Sequence, residues 1–275
     1  MKRKSNTTWL LSILVLLCGC GGGVKTSRPL SGPPAGPSGP PVQSQNISSN
    51  WAFSTTSTVP TGIPPATSSG SIAQSGSAVT GAVHVDGWSC FDRQTTIELT
   101  GTVSDGNISL TSTSVDGQVI ALTGSISKKD GFPYVLNGTY AIDGGCADGE
   151  QGDITGVNVN SLAGYWAGNL TPAGSGTIHW DVQLAQDGAS SEGSFGLTGT
   201  FSFDRCFDSG TITSGTFPTA SFIVGRSVNL EIKTTNGTIT FLGTADPDGL
   251  IRGNFTASGG PCELTGTGYL SPWEY

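Results

Sequence analysis

The sequence predicts an all-β protein, built as two tandem antiparallel β-barrel units of about eight strands each and preceded by a signal peptide and a disordered linker. Three observations predict it. Of 275 residues, 42 are glycine and only 12% are charged, and helix-forming residues never recur at a helical period. Stretches in which apolar and polar residues alternate, the pattern of a half-buried strand, follow one another between turn dipeptides. Finally, Cys90 and Cys146 are 56 positions apart, as are Cys206 and Cys262, so that one pair is the other shifted by 116.

The chain begins with a positively charged start, Lys2, Arg3 and Lys4, and an apolar run from Trp9 to Leu17 broken only by Ser12. This is the layout of a secretory signal peptide, and the run is short of the ~20 apolar residues that span a bilayer. Leu17-Cys18-Gly19-Cys20 follows it. It resembles the lipobox of bacterial lipoproteins, in which a leucine three positions before the cysteine and a small residue directly before it guide lipidation and cleavage. The register falls on Cys20, because Cys18 has Leu17 immediately ahead of it. The resemblance implies that residues 1–19 are removed and that Cys20 becomes a lipid-bearing N-terminus. Each buried methylene of an acyl chain contributes about 0.8 kcal/mol, so two or three chains hold a protein on a membrane without a spanning helix. Gly21 stands where the inner-membrane retention signal of the family has aspartate, which points to the outer membrane or cell surface.

Residues 20–46 are rich in proline, glycine and serine and nearly free of large apolar side chains. Such a segment cannot bury enough surface to offset its ordering entropy and reads as a tether.

Two homologous units follow, 47–160 and 161–275. Besides the cysteine spacing, Cys90-Phe91-Asp92 recurs as Cys206-Phe207-Asp208, the stretch IAQSG from Ile72 recurs as LAQDG from Leu184, and Trp51-Ala52 recurs as Trp166-Ala167. Four cysteines in an exported chain allow three disulfide pairings, and duplication favours Cys90 with Cys146 and Cys206 with Cys262. A site of four thiolates on a metal would call for closely spaced C-x-x-C pairs, which are absent.

In the second unit Ile178, Trp180, Val182 and Leu184 alternate with His179, Asp181, Gln183 and Ala185, and Val228, Leu230 and Ile232 alternate with Asn229, Glu231 and Lys233. Turn signals at Asp187-Gly188, Asn236-Gly237 and Asp248-Gly249 separate the runs. Strands are expected near 164–171, 176–186, 194–203, 210–217, 220–234, 237–245, 250–257 and 262–270. Eight sequential antiparallel strands can close as an up-and-down barrel, which removes exposed edges. The two cysteines of the unit would then lie in connections at the same end, within reach of one another. Gly164-Tyr165-Trp166 resembles the Gly-x-Trp opening of lipocalin-like and avidin-like barrels, and two β-sandwiches are the alternative architecture.

The formal charge is −8; the leader takes away three of the twelve basic residues and no acid, leaving nine against twenty, or −11. That balance argues against nucleic acid as a partner. His84 and His179 each lie between inward-facing residues and are expected to face solvent, and no G-x-S-x-G elbow marks a nucleophile, so no catalytic residue is assigned. Asp143, Asp148, Glu150 and Asp153, and the DPDG stretch at Asp246, could offer oxygen ligands to a hard cation but match no EF-hand spacing, and we read them as solvated turns with no metal or other cofactor. Eight of the eleven phenylalanines fall in the second unit, which places any interior cavity in the first. The expectation is a membrane-anchored exported lipoprotein of the cell envelope with a non-catalytic binding, adhesion or structural role. The alternative is a lipocalin-like carrier of a small hydrophobic ligand.

Overall fold

The computed structural model describes residues 46–273, apart from 87, 89, 92–94, 129–132, 216, 218, 219, 236, 260 and 261. Residues 1–45, with the expected leader, Cys20 and all but the last residue of the expected tether, lie outside the described residues. The rest is all-β, two closed eight-stranded antiparallel barrels in tandem, rather than a pair of sandwiches.

The first barrel runs β1 (Ser49–Val59), β2 (Ala66–Ser75), β3 (Ala78–Asp86), β4 (Thr96–Ser104), β5 (Asn107–Ser112), β6 (Val119–Lys128), β7 (Tyr134–Asp143) and β8 (Gln151–Val159), each paired with the next. It closes by pairing β8 with β1, Val157 opposite Ala52 and Gly156 opposite Phe53. Alternation dictates what fills it: Trp51 and Phe53 from β1, Ile97 and Leu99 from β4, and Leu136, Tyr140 and Ile142 from β7 all turn inward and are buried. The β4–β5 hairpin turns on Asp105-Gly106, both with positive φ, the conformation that a two-residue turn of the right twist demands.

The second barrel repeats this order with one break. Its strands are β9 (Gly164–Pro172), β10 (Ile178–Ala189), β11 (Phe195–Phe203), β12 (Gly210–Ile212), β13 (Phe222–Val224), β14 (Ser227–Thr234), β15 (Gly237–Ala245), β16 (Ile251–Ser258) and β17 (Leu264–Pro272), and β17 pairs with β9 to close the ring. β12 and β13 both lie between β11 and β14, Ile212 opposite Gly199 and Ile232, Ile223 opposite Phe195 and Val228. Together they form the fourth staff of the barrel, interrupted between Ile212 and Phe222. The strands expected at 210–217 and 220–234 are corrected accordingly, since the first ends at Ile212 and the second is divided by a turn at Gly225-Arg226. Ser221 bridges the gap. Its buried hydroxyl accepts from Glu231 N at 2.9 Å and donates to Glu231 O at 3.2 Å, replacing the backbone groups a continuous strand would offer.

The sequence repeats have structural causes. Trp51 and Trp166 occupy equivalent positions, and each indole N–H donates to the carbonyl four residues earlier, Ile47 O at 3.0 Å and Leu162 O at 2.8 Å. In each unit the glutamine of the AQ pair captures the N–H of that same earlier residue: Gln74 Oε1 accepts from Ile47 N and Gln186 Oε1 from Leu162 N. The segment leading into each barrel is thus folded over the bottom and held there by one tryptophan and one glutamine.

The disulfides are Cys90–Cys146 and Cys206–Cys262, with Cα atoms 6.0 and 5.7 Å apart, and each joins the third connection of its barrel to the seventh. A closed loop of this size restrains the unfolded chain by about 4 kcal/mol in the chain-entropy treatment. Inside the second barrel, Trp180 lies between Phe203 and Phe241 with ring centroids 5.9 and 5.4 Å away, so the space is filled by aromatics. The expected cavity in the first barrel does exist, lined by Phe53, Trp88, Leu99 and Tyr140 among others, but it amounts to about 20 Å³.

Candidate recognition face

The barrels touch through one face of the first. Asn50, on the outside of β1 and only 2% exposed, exchanges two hydrogen bonds with the backbone of Gly225 at the β13–β14 turn, both 2.7 Å. A side chain on Gly225, whose φ is +53°, would drive into Ser69 on β2, and one on Gly193 would drive into the carbonyl of Ala82 on β3. His84 on β3 packs against Phe217, between β12 and β13 of the second barrel, ring centroids 4.5 Å apart. The expectation that His84 is solvated is therefore corrected. It does point out of its own barrel, but the second barrel covers it, and burial pushes its pKa below the ordinary value while the nearby Glu192 pulls weakly the other way. Its Nδ1 lies 3.3 Å from Thr96 Oγ1, and its Nε2 is enclosed without a hydrogen-bond partner.

With Trp51 matched to Trp166 and Gln74 to Gln186, strand register places the equivalent face of the second barrel where Tyr165, Tyr269 and Trp273 are exposed. This face consists of three rungs across β17, β9, β10 and β11. The first carries Tyr269, Asn169, His179 and Asp204; the second Ser271, Ala167, Asp181 and Ser202; the third Trp273, Tyr165, Gln183 and Thr200. Trp273 extends the third rung just beyond β17, its N–H donating to Tyr165 O at 2.8 Å. The inner neighbours Trp166, Trp180, Val182 and Phe201 are buried, which forces these residues outward.

The first rung is wired together. Asn169 Nδ2 donates to the Tyr269 hydroxyl at 2.9 Å, Asn169 Oδ1 lies 3.2 Å from His179 Nδ1, and His179 Nε2 lies 3.5 Å from Asp181 Oδ1. Asp204 Oδ1 accepts from the His179 backbone at 3.0 Å. His179 is exposed, as expected, yet it is a member of this network rather than an isolated surface residue.

Two depressions meet here. One, about 380 Å³, lies on the second and third rungs over Asp181, Gln183, Thr200 and Ser202. The other, about 400 Å³, runs along the junction of the barrels beside Pro133, Val159, Leu162, Arg226 and Asp246. Tyr165, Trp166 and Trp273 line both, and Tyr165 and Trp273 form the ridge between them, 50% and 54% exposed. Sequence reasoning missed these two aromatics. The available signal was that Trp166 faces inward, so that Tyr165 must face outward, where the first unit has only Asn50.

The acidic stretches are accounted for by contacts within the chain. Asp246 accepts from Arg226 (2.8 Å) and Arg252 (2.6 Å), and Asp248 accepts from Arg252 (2.7 Å), whose guanidinium holds the Asp248 carboxyl below the usual range. Asp148 caps Gly144 N at 2.8 Å, while Glu150 turns inward and accepts from the Tyr140 hydroxyl at 2.8 Å. Burial, followed by that bond, pushes the Tyr140 pKa up to about 12. Among the described residues no group of three or more His, Cys, Asp or Glu is gathered for a metal ion. Cys20, the expected lipid site, lies outside the described residues.

Comparison with protein-family models found no match, and comparison with curated proteins found none.

Proposed function

We propose that the chain is an exported, lipid-anchored protein of the cell envelope, at the outer membrane or cell surface, which binds a partner through the open face of its second barrel and does no covalent chemistry. The observation that carries this reading is the ridge of Tyr165 and Trp273, two large amphipathic side chains left half-exposed beside depressions of ligand size. Its support is the duplication, because the same face of the first barrel is used for contact with a protein surface. A binding role suits the wiring of His179, whose ring nitrogens are engaged by Asn169 and Asp181 on an open face from which water is not excluded.

The anchor rests on the lipobox register, and the tether would lift the barrels off the membrane. The carrier reading moves to a different place in the molecule. An interior cavity of about 20 Å³ is too small for a ligand, whereas the junction groove of about 400 Å³ falls within the common range of small-molecule sites, roughly 300–1,000 Å³.

The anchor is tested by detergent partitioning and mass spectrometry of protein isolated from its own envelope. Native protein and Cys18→Ser should enter the detergent phase with diacylated Cys20 at the mature N-terminus, and Cys20→Ser should remain unprocessed. An unlipidated mature start downstream of Cys20 would overturn it.

A further inference from the structure

The open face of the second barrel and the covered face of the first descend from the same ancestral surface, so the residues that differ between them show what the open one contacts. Asn50, Ser69, Ser71 and Val159 of the covered face are small or buried, and they admit the close approach of Gly225 and Gly193. Their counterparts are Tyr165, Asp181, Gln183 and Trp273, which project around a shallow bed that Thr200 and Ser202 also line. A tight β-turn cannot settle among them as Gly225 settles on Asn50.

A second copy of the chain is a poor occupant for two further reasons. The turn of the first barrel equivalent to Gly225-Arg226 is Asp105-Gly106, which would bring a carboxylate towards Asp181. In addition, β4 is continuous, so the first barrel has no interrupted staff to supply the contact that Phe217 makes with His84.

The chemistry of the bed is specific. Two aromatic side chains line the bed together with the Asp181 carboxylate and the Gln183 amide, and the neighbouring Asn169–His179–Asp181 chain holds that carboxylate in place. A pyranose ring has the complementary surface. It offers a face of C–H bonds that packs on an aromatic ring, and a rim of neighbouring hydroxyls, each both donor and acceptor, which pair with planar carboxylate and amide groups. The three rungs contain no lysine or arginine and two aspartates, on a chain of net charge −8, which disfavours an acidic sugar.

We infer that this face binds a neutral saccharide chain, with Trp273 and Tyr165 as stacking platforms and Asp181, Gln183 and His179 as hydroxyl partners. The inference rests on the reading of the face as a recognition surface and narrows its ligand.

The test uses the full chain in detergent and a panel of short neutral oligomers of glucose, mannose, galactose and N-acetylglucosamine, with binding followed by tryptophan emission and by calorimetry. At least one oligomer should bind. Trp273→Ala and Tyr165→Ala should each weaken it about tenfold or more, and Asp181→Asn several-fold, with unchanged melting temperatures. Leu242→Ala, which removes an exposed leucine on β15, should bind as the parent does. Absence of binding across the panel, or binding indifferent to Trp273→Ala and Asp181→Asn, overturns the saccharide inference. The broader reading is judged separately, by retention of envelope proteins on the immobilised chain. Retention abolished by Trp273→Ala, with no sugar bound, would replace the saccharide with a protein partner, and loss of both kinds of binding would overturn the recognition face itself.

Discussion

Two copies of one surface, carried on the first and second barrels, have gone in opposite directions. On the first, β8, β1, β2 and β3 present small polar residues with Val157 and Val159, and the second barrel covers them through Gly225, Gly193 and Phe217. On the second, β17, β9, β10 and β11 present three aromatics and a linked row of polar groups to solvent. The comparison separates what the barrel needs from what the face does. The tryptophan at the floor of each barrel is shared, at 51 and 166, and so is the outward alanine beside it, at 52 and 167, whereas outward Asn50, Ser69 and Ser71 are answered by Tyr165, Asp181 and Gln183. The shared tryptophan therefore carries stability, and the divergent outward positions carry specific contact.

The sharpest way to break this division is to truncate the shared position in each barrel. Trp51→Ala and Trp166→Ala both remove a buried indole and its bond to the leading segment, and each should cost about 3–5 kcal/mol in denaturant unfolding. Nearly equal losses are expected from the two. A loss below about 1 kcal/mol for either would mean that its barrel closes without its tryptophan, and the equivalence of the two floors would fail.

A smaller effect is expected at the divergent position beside it. Asn50→Ala strands the N–H and C=O of Gly225 in a dry interface and should cost about 1–3 kcal/mol. Its counterpart change, Tyr165→Ala, should alter stability by no more than about 0.5 kcal/mol, as befits an exposed site. If Tyr165→Ala proved as damaging as Asn50→Ala, the second face would be a structural surface and its role in recognition would be lost.

The barrels were legible in the sequence because their signal is local and repeated. The strict alternation from Ile178 to Leu184, the turn dipeptides and the equal cysteine spacing each survive without knowledge of the third dimension. The break between β12 and β13 was not legible. Residues 210–217 and 220–234 each carry enough β-branched and aromatic residues to read as one strand, whereas the early end of β12 and the late start of β13 depend on the Ser221 hydroxyl reaching Glu231 on a neighbouring strand. The outward direction of His84 was legible, but its burial was not, because Phe217 and Glu192 come from the other unit, more than a hundred residues away. The candidate face was legible only in part. The alternation gave the outward direction of His179, Asp181 and Gln183, while their assembly with Tyr165, Tyr269 and Trp273 is made by barrel closure between β17 and β9.

The smallest expected effect is a pH dependence confined to the covered face. The charged and titratable neighbours that matter to His84 reduce to Glu192, since its other contacts are the Phe217 ring and the Thr96 hydroxyl. Burial lowers its pKa more than Glu192 raises it, so the folded protein holds this proton less tightly than the unfolded chain does. The sign follows from that difference. At pH above the unfolded value of about 6.5 the imidazole is neutral in both states and contributes nothing to pH dependence. As pH falls from there towards the lower folded value, the unfolded chain takes up the proton first and stability declines, levelling off once the folded state is protonated as well. Glu192, through its charge and its backbone, favours the protonated ring, but burial outweighs it. Denaturant unfolding of the parent and of His84→Gln, at about pH 7.5 and about pH 5.5, checks this. The parent should lose more stability than the variant on acidification, and the difference should be smaller than the loss caused by Asn50→Ala. An acid loss that is as large in His84→Gln as in the parent would remove His84 as its source and leave the covered face without a pH-sensitive group.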